Sequence, residues 1–211
     1  MNARSPSDTK VQSLRERQRE QTAAAILDAA EEAFAEKGLA NAHMNDIAGR
    51  VGVAVGTLYN HFKDRDSLLA ALLEARRRDL LARMDAFLDR PPSGSFRADL
   101  AGLVHEMGKF FEEHPRYHVL LHRMEWGLHE ATYPETAACA PEMKRELYVR
   151  IDKMMKRGIK QKAVRPELAD YYAYLLMGTL RSMRLYNIDH DVDDRWPIDE
   201  IVRFFMEGAG V

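Results

Sequence analysis

Apolar residues recur at helical spacing along almost the whole chain, and the intervals between their breaks define the elements. Ile26, Leu27, Ala30 and Phe34 form one stripe, with Lys37 in its last turn and Gly38 as a left-handed stop, predicting a helix from about residue 12 to 37. Met44, Ile47, Ala48 and Val51 repeat the pattern over barely two turns before Gly52 ends it. Val53 then serves as a turn residue. From about Val55 a second short helix directs Leu58 and Phe62 inward and leaves Gly56, Thr57, Asn60 and Lys63 on the outer arc, with Tyr59 at its edge. Two short helices joined by so tight a turn are a helix-turn-helix.

Asp64 can cap the next helix. Its apolar positions Leu68, Leu69, Leu72, Leu73, Leu80, Leu81, Met84 and Leu88 run to the Pro91-Pro92 stop, so this long helix is expected to join two bodies. Further helices are expected at about 95–113, 116–130, 135–160, 166–187 and 197–208, punctuated by Pro115, Pro134, Gly158, Pro166 and Pro197. No strand pattern occurs. The expected fold is all-α with about nine helices: a disordered tail at 1–11, a three-helix helix-turn-helix domain at 12–66, and a larger helical domain at 67–211 for ligand binding and dimerisation.

Composition narrows the function classes. A chain of 211 residues, 46% hydrophobic, can bury a core without a metal or disulfide staple. The single cysteine, Cys139, forms no intramolecular bridge, no secretory leader pattern opens the chain, and no run of about 18 apolar residues suits a membrane span. These features predict a cytoplasmic protein with no membrane partner. The net charge of −2 argues against nonspecific coating of nucleic acid but is compatible with a small DNA-reading patch. Between residues 37 and 65 the cations Lys37, Arg50, Lys63 and Arg65 outnumber the anions Asp46 and Asp64.

The second helix of a helix-turn-helix enters the major groove only if its leading turn is slim, and Gly56 meets that need. Thr57 offers a methyl and a hydroxyl, Asn60 can pair with adenine or phosphate, and Tyr59 and His61 can reach phosphate oxygens from the flanks. Arg65, a cation in a helix's first turn, stands where a DNA backbone would pass; it can equally pair with Asp66.

The pattern F-x-x-x-G-x-x-x-x-x-M-x-x-I-A-x-x-x-G-V-x-x-G-T-L-Y-x-H-F-x-x-K/R-x-x-L, from Phe34 to Leu68, resembles the DNA-binding domain of the TetR family of bacterial transcriptional regulators. The resemblance implies an all-α homodimer whose small N-terminal domain binds double-stranded operator DNA and whose larger domain senses a small-molecule effector. It places Gly56, Thr57, Tyr59, Asn60 and His61 against DNA, with Lys63 and Arg65 on phosphates. The family commonly opens its recognition helix with a Ser or Thr cap and a polar or basic residue; here Ala54 and Val55 stand there, and Val55 can touch a thymine methyl. Repression is the family's default.

Other chemistry is thinner. No strand precedes Gly49, Gly52 and Gly56 and no Gly-Lys-Ser/Thr follows, which excludes a phosphate loop, and His105-Glu106 and His129-Glu130 lack the second histidine of a zinc-protease helix. No enzyme activity, cofactor or metal is expected. Phe110, His118, His122, Trp126, Met155 and Met177 are candidates to line an apolar effector site. The alternative is an all-α metal-sensing or enzymatic protein using the stripe His118, His122, Glu125 and His129. Leu168, Tyr172, Leu175, Leu176, Met183, Ile201, Val202, Phe204 and Phe205 spread around the last two long helices and predict a homodimer interface there, with Gly178 and Ser182 allowing close approach.

Overall fold

The computed structural model describes residues 13–126, 134–190 and 197–210. Within these, His122, Arg123, Glu125, Trp126, residues 134–144, 188–189 and Ala209 are described as backbone only. His122, Glu125, Trp126 and Cys139 thus lie outside the described side chains, and His129 outside the described residues altogether. Among the described residues there are nine α-helices and no β-strand: α1 Leu14–Lys37, α2 Met44–Val51, α3 Val55–His61, α4 Arg65–Leu88, α5 Phe96–Glu113, α6 Pro115–Trp126, α7 Pro134–Lys160, α8 Tyr172–His190 and α9 Ile198–Ala209. An isolated antiparallel bridge joins Val164 to Gly210.

The segment expected at 166–187 divides. Pro166–Leu168 form one turn of 3-10 helix, and α8 begins only at Tyr172. Pro166 supplies the fixed φ that suits a helix start, but Ala169 already closes a bond to the Pro166 carbonyl three residues back, the tighter 3-10 pattern.

Local chemistry explains the boundaries. Ser13 caps α1 by accepting from the Glu16 amide at 3.2 Å while Glu16 accepts from the Ser13 amide at 2.8 Å. Gly38 leaves α1 at φ 79°, and Gly52 leaves α2 at φ 77° in the left-handed region, its N–H bonded to Ala48. Asp64 caps α4 by accepting from the Ser67 amide at 2.8 Å, and Ser67 returns its hydroxyl oxygen to the Asp64 amide at 3.1 Å.

α4 carries two sets of buried residues. Leu68, Leu69, Leu72 and Leu73 lie in its first half and Leu80, Leu81, Met84 and Leu88 in its second, and all but Leu81 join one cluster with residues of α1, α2, α3, α5 and α7. The buried cluster is therefore continuous from Ile26 to Phe205. Ion pairs line the α4–α7 seam: Arg77 pairs with Glu146 and with Glu74, and Arg150 places Nη2 2.6 Å from Asp85. On the opposite side α1 packs against α6 as well as α2 and α4.

Leu58, the fully buried residue of α3, should be its anchor. Leu58→Ala is expected to cost about 2–5 kcal/mol, whereas Tyr59→Ala, at a half-exposed neighbour, should stay within about 0.5 kcal/mol; urea unfolding followed by circular dichroism distinguishes them.

Candidate nucleic-acid interface

The turn between α2 and α3 is short because one carbonyl serves it twice: Ala48 accepts from Gly52 at 3.0 Å and from Val53 at 3.1 Å. Ala54 is extended and contributes no side-chain cap, so α3 opens on backbone bonds alone, from Thr57 and Leu58 to the Ala54 carbonyl at 2.8 and 3.4 Å. A Cβ added at Gly56 would meet nothing within 4 Å, so the leading turn faces open space. Leu58 points inward with 0% exposure, and Phe62 ends the helix half-buried against the core.

This anchoring fixes where the other side chains go. Gly56, Tyr59, Asn60 and Lys63 are exposed; Val55, Thr57, His61 and Arg65 are half-buried. Gly56 and Asn60, four residues apart, share the face opposite Leu58, with Thr57 and Tyr59 on its flanks. His61 lies toward the inner side, its ring 6.2 Å from that of Phe62.

The electrostatics differ from the simple count of charges. Lys37 pairs with Asp46 at 2.8 Å, and Arg50 pairs with Glu36 and, at 3.4 Å, with Glu32. Arg65 donates from Nη1 to the Ala40 carbonyl at 3.1 Å and lies 3.4 Å from Asp66. Its guanidinium thus ties the start of α4 to the α1–α2 connection, a bracing role compatible with the Asp66 pairing considered from sequence. Asp64 is held below the usual carboxylate value chiefly by the Ser67 amide, Asp46 chiefly by Lys37, and Glu36 chiefly by Arg50.

Residues 26–72 match the family model described as "Bacterial regulatory proteins, tetR family". Residues 26–72 are thus similar to the DNA-binding domain of the TetR family. The chain is 46% identical over 56 residues, 26% of its length and 30% of the relative, to the HTH-type transcriptional repressor Rv3405c of Mycobacterium tuberculosis. It is 36% identical over 91 residues, 42% of this chain and 43% of the relative, to the HTH-type transcriptional regulator TtgR of Pseudomonas putida. The chain therefore spans less than half the length of these curated relatives. The solved structure of the transcriptional regulator FadR from Bacillus subtilis in complex with stearoyl-CoA superposes with a TM-score of 0.70 over 87% of this chain and 95% of that one. At 18% identity it establishes a shared fold only.

The candidate effector residues are dispersed in packing. Phe110 is fully buried, edge-on to Phe111 at 5.2 Å and to Tyr117 at 5.9 Å, with the Arg83 guanidinium 5.4 Å from its ring centre. His118 is buried with its ring 4.8 Å from Phe111, Met155 is buried, and Met177 is half-buried. A recess of about 210 Å³ between Phe87, Arg90 and Arg157 and another of about 540 Å³ between His105 and Asp199 are lined by none of the six candidates. Among the described residues no group of three or more His, Cys, Asp or Glu could hold a metal ion, and no helix is long and apolar enough to cross a membrane.

One carboxylate escaped the sequence reading. Glu31 of α1 is only 5% exposed and lies on the Leu27–Phe34 stripe. A glutamate in register with a buried stripe was the available signal.

Because the Asp64 carboxylate has a folded pKa below its unfolded value near 3.8, its contribution is present above that value and lost as pH falls through the folded one. Asp64→Asn keeps a capping side chain but removes the titration. The stability gap between parent and variant, read from urea midpoints, should be widest at neutral pH and close in acid.

Proposed function

We propose that this protein is a ligand-responsive DNA-binding transcriptional regulator, a repressor released from its operator by a small molecule. The observation that carries the reading is the outer face of α3: a glycine facing open space in its leading turn, with Thr57, Asn60 and Tyr59 around it, on a helix anchored by Leu58. Gly56 lets the backbone approach base edges, Thr57 and Asn60 supply directional donors and acceptors, and Val55 offers an apolar contact to a thymine methyl. Tyr59, His61 and Lys63 reach phosphates, which position without reading sequence. Arg65 joins them through donors that it shares with the Ala40 carbonyl. That TtgR and Rv3405c are named as a transcriptional regulator and repressor supports the reading at this end of the chain.

Regulation then belongs to the larger domain. FadR was solved with stearoyl-CoA, which supports a largely apolar effector in the larger domain, for which Phe110, His118, Met155 and Met177 are the described candidates. His122 and Trp126, the remaining candidates, follow His118 along α6.

The protein acts as a homodimer through α8 and α9. Of the nine residues expected at that interface, Tyr172, Leu176, Ile201, Val202 and Phe205 are buried within the chain's own core. The outward apolar set is instead Tyr171, Tyr174, Leu175, Tyr186 and Phe204, at 61%, 58%, 49%, 58% and 68% exposure, with Leu168 before them in the chain. Gly178 has open space beyond its Cα, which suits close approach of a second helix. Two recognition helices would then meet half-sites about one helical turn apart.

Gly56→Leu should abolish sequence-specific binding while leaving the thermal midpoint and the dimer unchanged. Lys63→Ala should weaken binding to operator and scrambled duplex alike and flatten the salt slope by about one unit, whereas Asn60→Ala and Thr57→Ala should cost about 1–3 kcal/mol at particular base pairs. Titrations of fluorescent duplexes at two salt concentrations read all four. Parent-like operator binding by Gly56→Leu would remove α3 from the groove and sink the assignment.

Sedimentation should show a dimer at micromolar concentration, and Tyr174→Glu with Phe204→Glu should convert it to a folded monomer. A parent that sediments as a monomer would refute the interface.

A further inference from the structure

The α1–α4–α6 junction is built around a single buried carboxylate. Glu31 Oε1 accepts the backbone N–H of Tyr117, in the first turn of α6, at 3.0 Å, and Glu31 Oε2 lies 2.6 Å from Nε of Arg76 on α4. Arg76 places its Nη2 2.5 Å from Asp28, one turn earlier on α1. Burial alone would lower the Arg76 pKa, but its hydrogen bonds to Asp28 and Glu31 raise it overall, so the guanidinium stays charged. Burial, reinforced by the Glu31 charge, pushes the Tyr117 phenol well above its ordinary value and keeps it neutral.

Pro115, the first residue of α6, has no N–H, so Tyr117 supplies one of the few amides that this helix start must satisfy from outside. Glu31 satisfies it from a different helix, where the positive end of α6 also favours a carboxylate. The two oxygens of one side chain are thus committed to two different helices.

Resting on the regulator reading above, we propose that Glu31 is a positioning residue that locks the pose of the DNA-reading domain to α4 and α6. A buried, charge-assisted pair tolerates little displacement, because separation leaves a charge without partner or water. A shift of α6 by a bound effector therefore either carries α1 with it or breaks the joint. The first outcome moves the α1–α3 unit, and the second releases it from the pose that the joint holds. The neighbouring pair of Glu32 with Arg116, 2.9 Å apart, bridges the same two helices but is solvent-exposed and screened, so it is weak.

The test uses the full-length dimer and a duplex selected by the parent from a random library, with versions lengthened by one base pair between the half-sites. A locked pose makes the parent discriminate against the lengthened duplex by at least about tenfold; Glu31→Gln and Arg76→Gln should reduce that ratio to within about threefold, while the control Glu32→Gln keeps it. Helical content and sedimentation establish that each variant is folded and dimeric, and Arg76→Gln decides if Glu31→Gln is not. Retention of the parent's ratio by the folded joint variants overturns the proposal. Failure of the parent to select any duplex sinks the regulator reading and the coupling role together. Independently of DNA, Glu31→Ala should speed exchange of the Tyr117 amide by about tenfold or more, and unchanged exchange would show that no joint exists there.

Discussion

Burial of Leu58 in the core shared with α1, α2 and α4 is the constraint on which the outer face of α3 depends. Helices of eight and seven residues do not persist alone in water, because nucleating a turn costs more than so few bonds return. α3 also lacks a side-chain cap, having Ala54 where an oxygen would serve. Its conformation is therefore imposed by tertiary packing: Leu58 at 0% exposure sets the rotation of the helix, and that rotation turns Gly56 and Asn60 outward. An outer face with no anchoring of its own is held by what lies beneath it.

The same packing leaves α4 with two allegiances. It packs against α1 on one hand and against α5 and α7 on the other, within one continuous core, so a tilt of α4 disturbs both. Charges distributed along its flanks, Arg76 toward α1 and Arg77 and Asp85 toward α7, hold it from opposite sides. A domain boundary drawn at residue 66 falls in the first turn of this helix, where the apolar core runs through without interruption.

Local charge counting was the least informative reading. Lys37 and Arg50 raise the positive count of the helix-turn-helix segment, yet both are paired with carboxylates within the domain. Asp46 comes from that segment itself, while Glu32 and Glu36 come from α1, outside the counted stretch. Electrostatic surfaces are properties of neighbours in space.

Periodicity, caps and punctuation were sufficient for element identity: the apolar stripes, the positive-φ glycine stops at Gly38 and Gly52, of which only Gly52 is left-handed helical, the Asp64 cap and the Phe34–Leu68 pattern are all local, and local geometry decides them. They also placed Gly56, Asn60 and Lys63 on an outer arc. Tertiary structure alone decided which partner each polar or apolar group received. It committed Arg65 to Ala40, buried Phe110 and Met155 in packing, sorted the α8 and α9 residues into inward Tyr172 and outward Tyr174, and set Glu31 between α4 and α6. Helical spacing specifies a face, but the burial of that face, and the partner 45 or 86 residues away that satisfies a charge on it, exist only once the helices have packed.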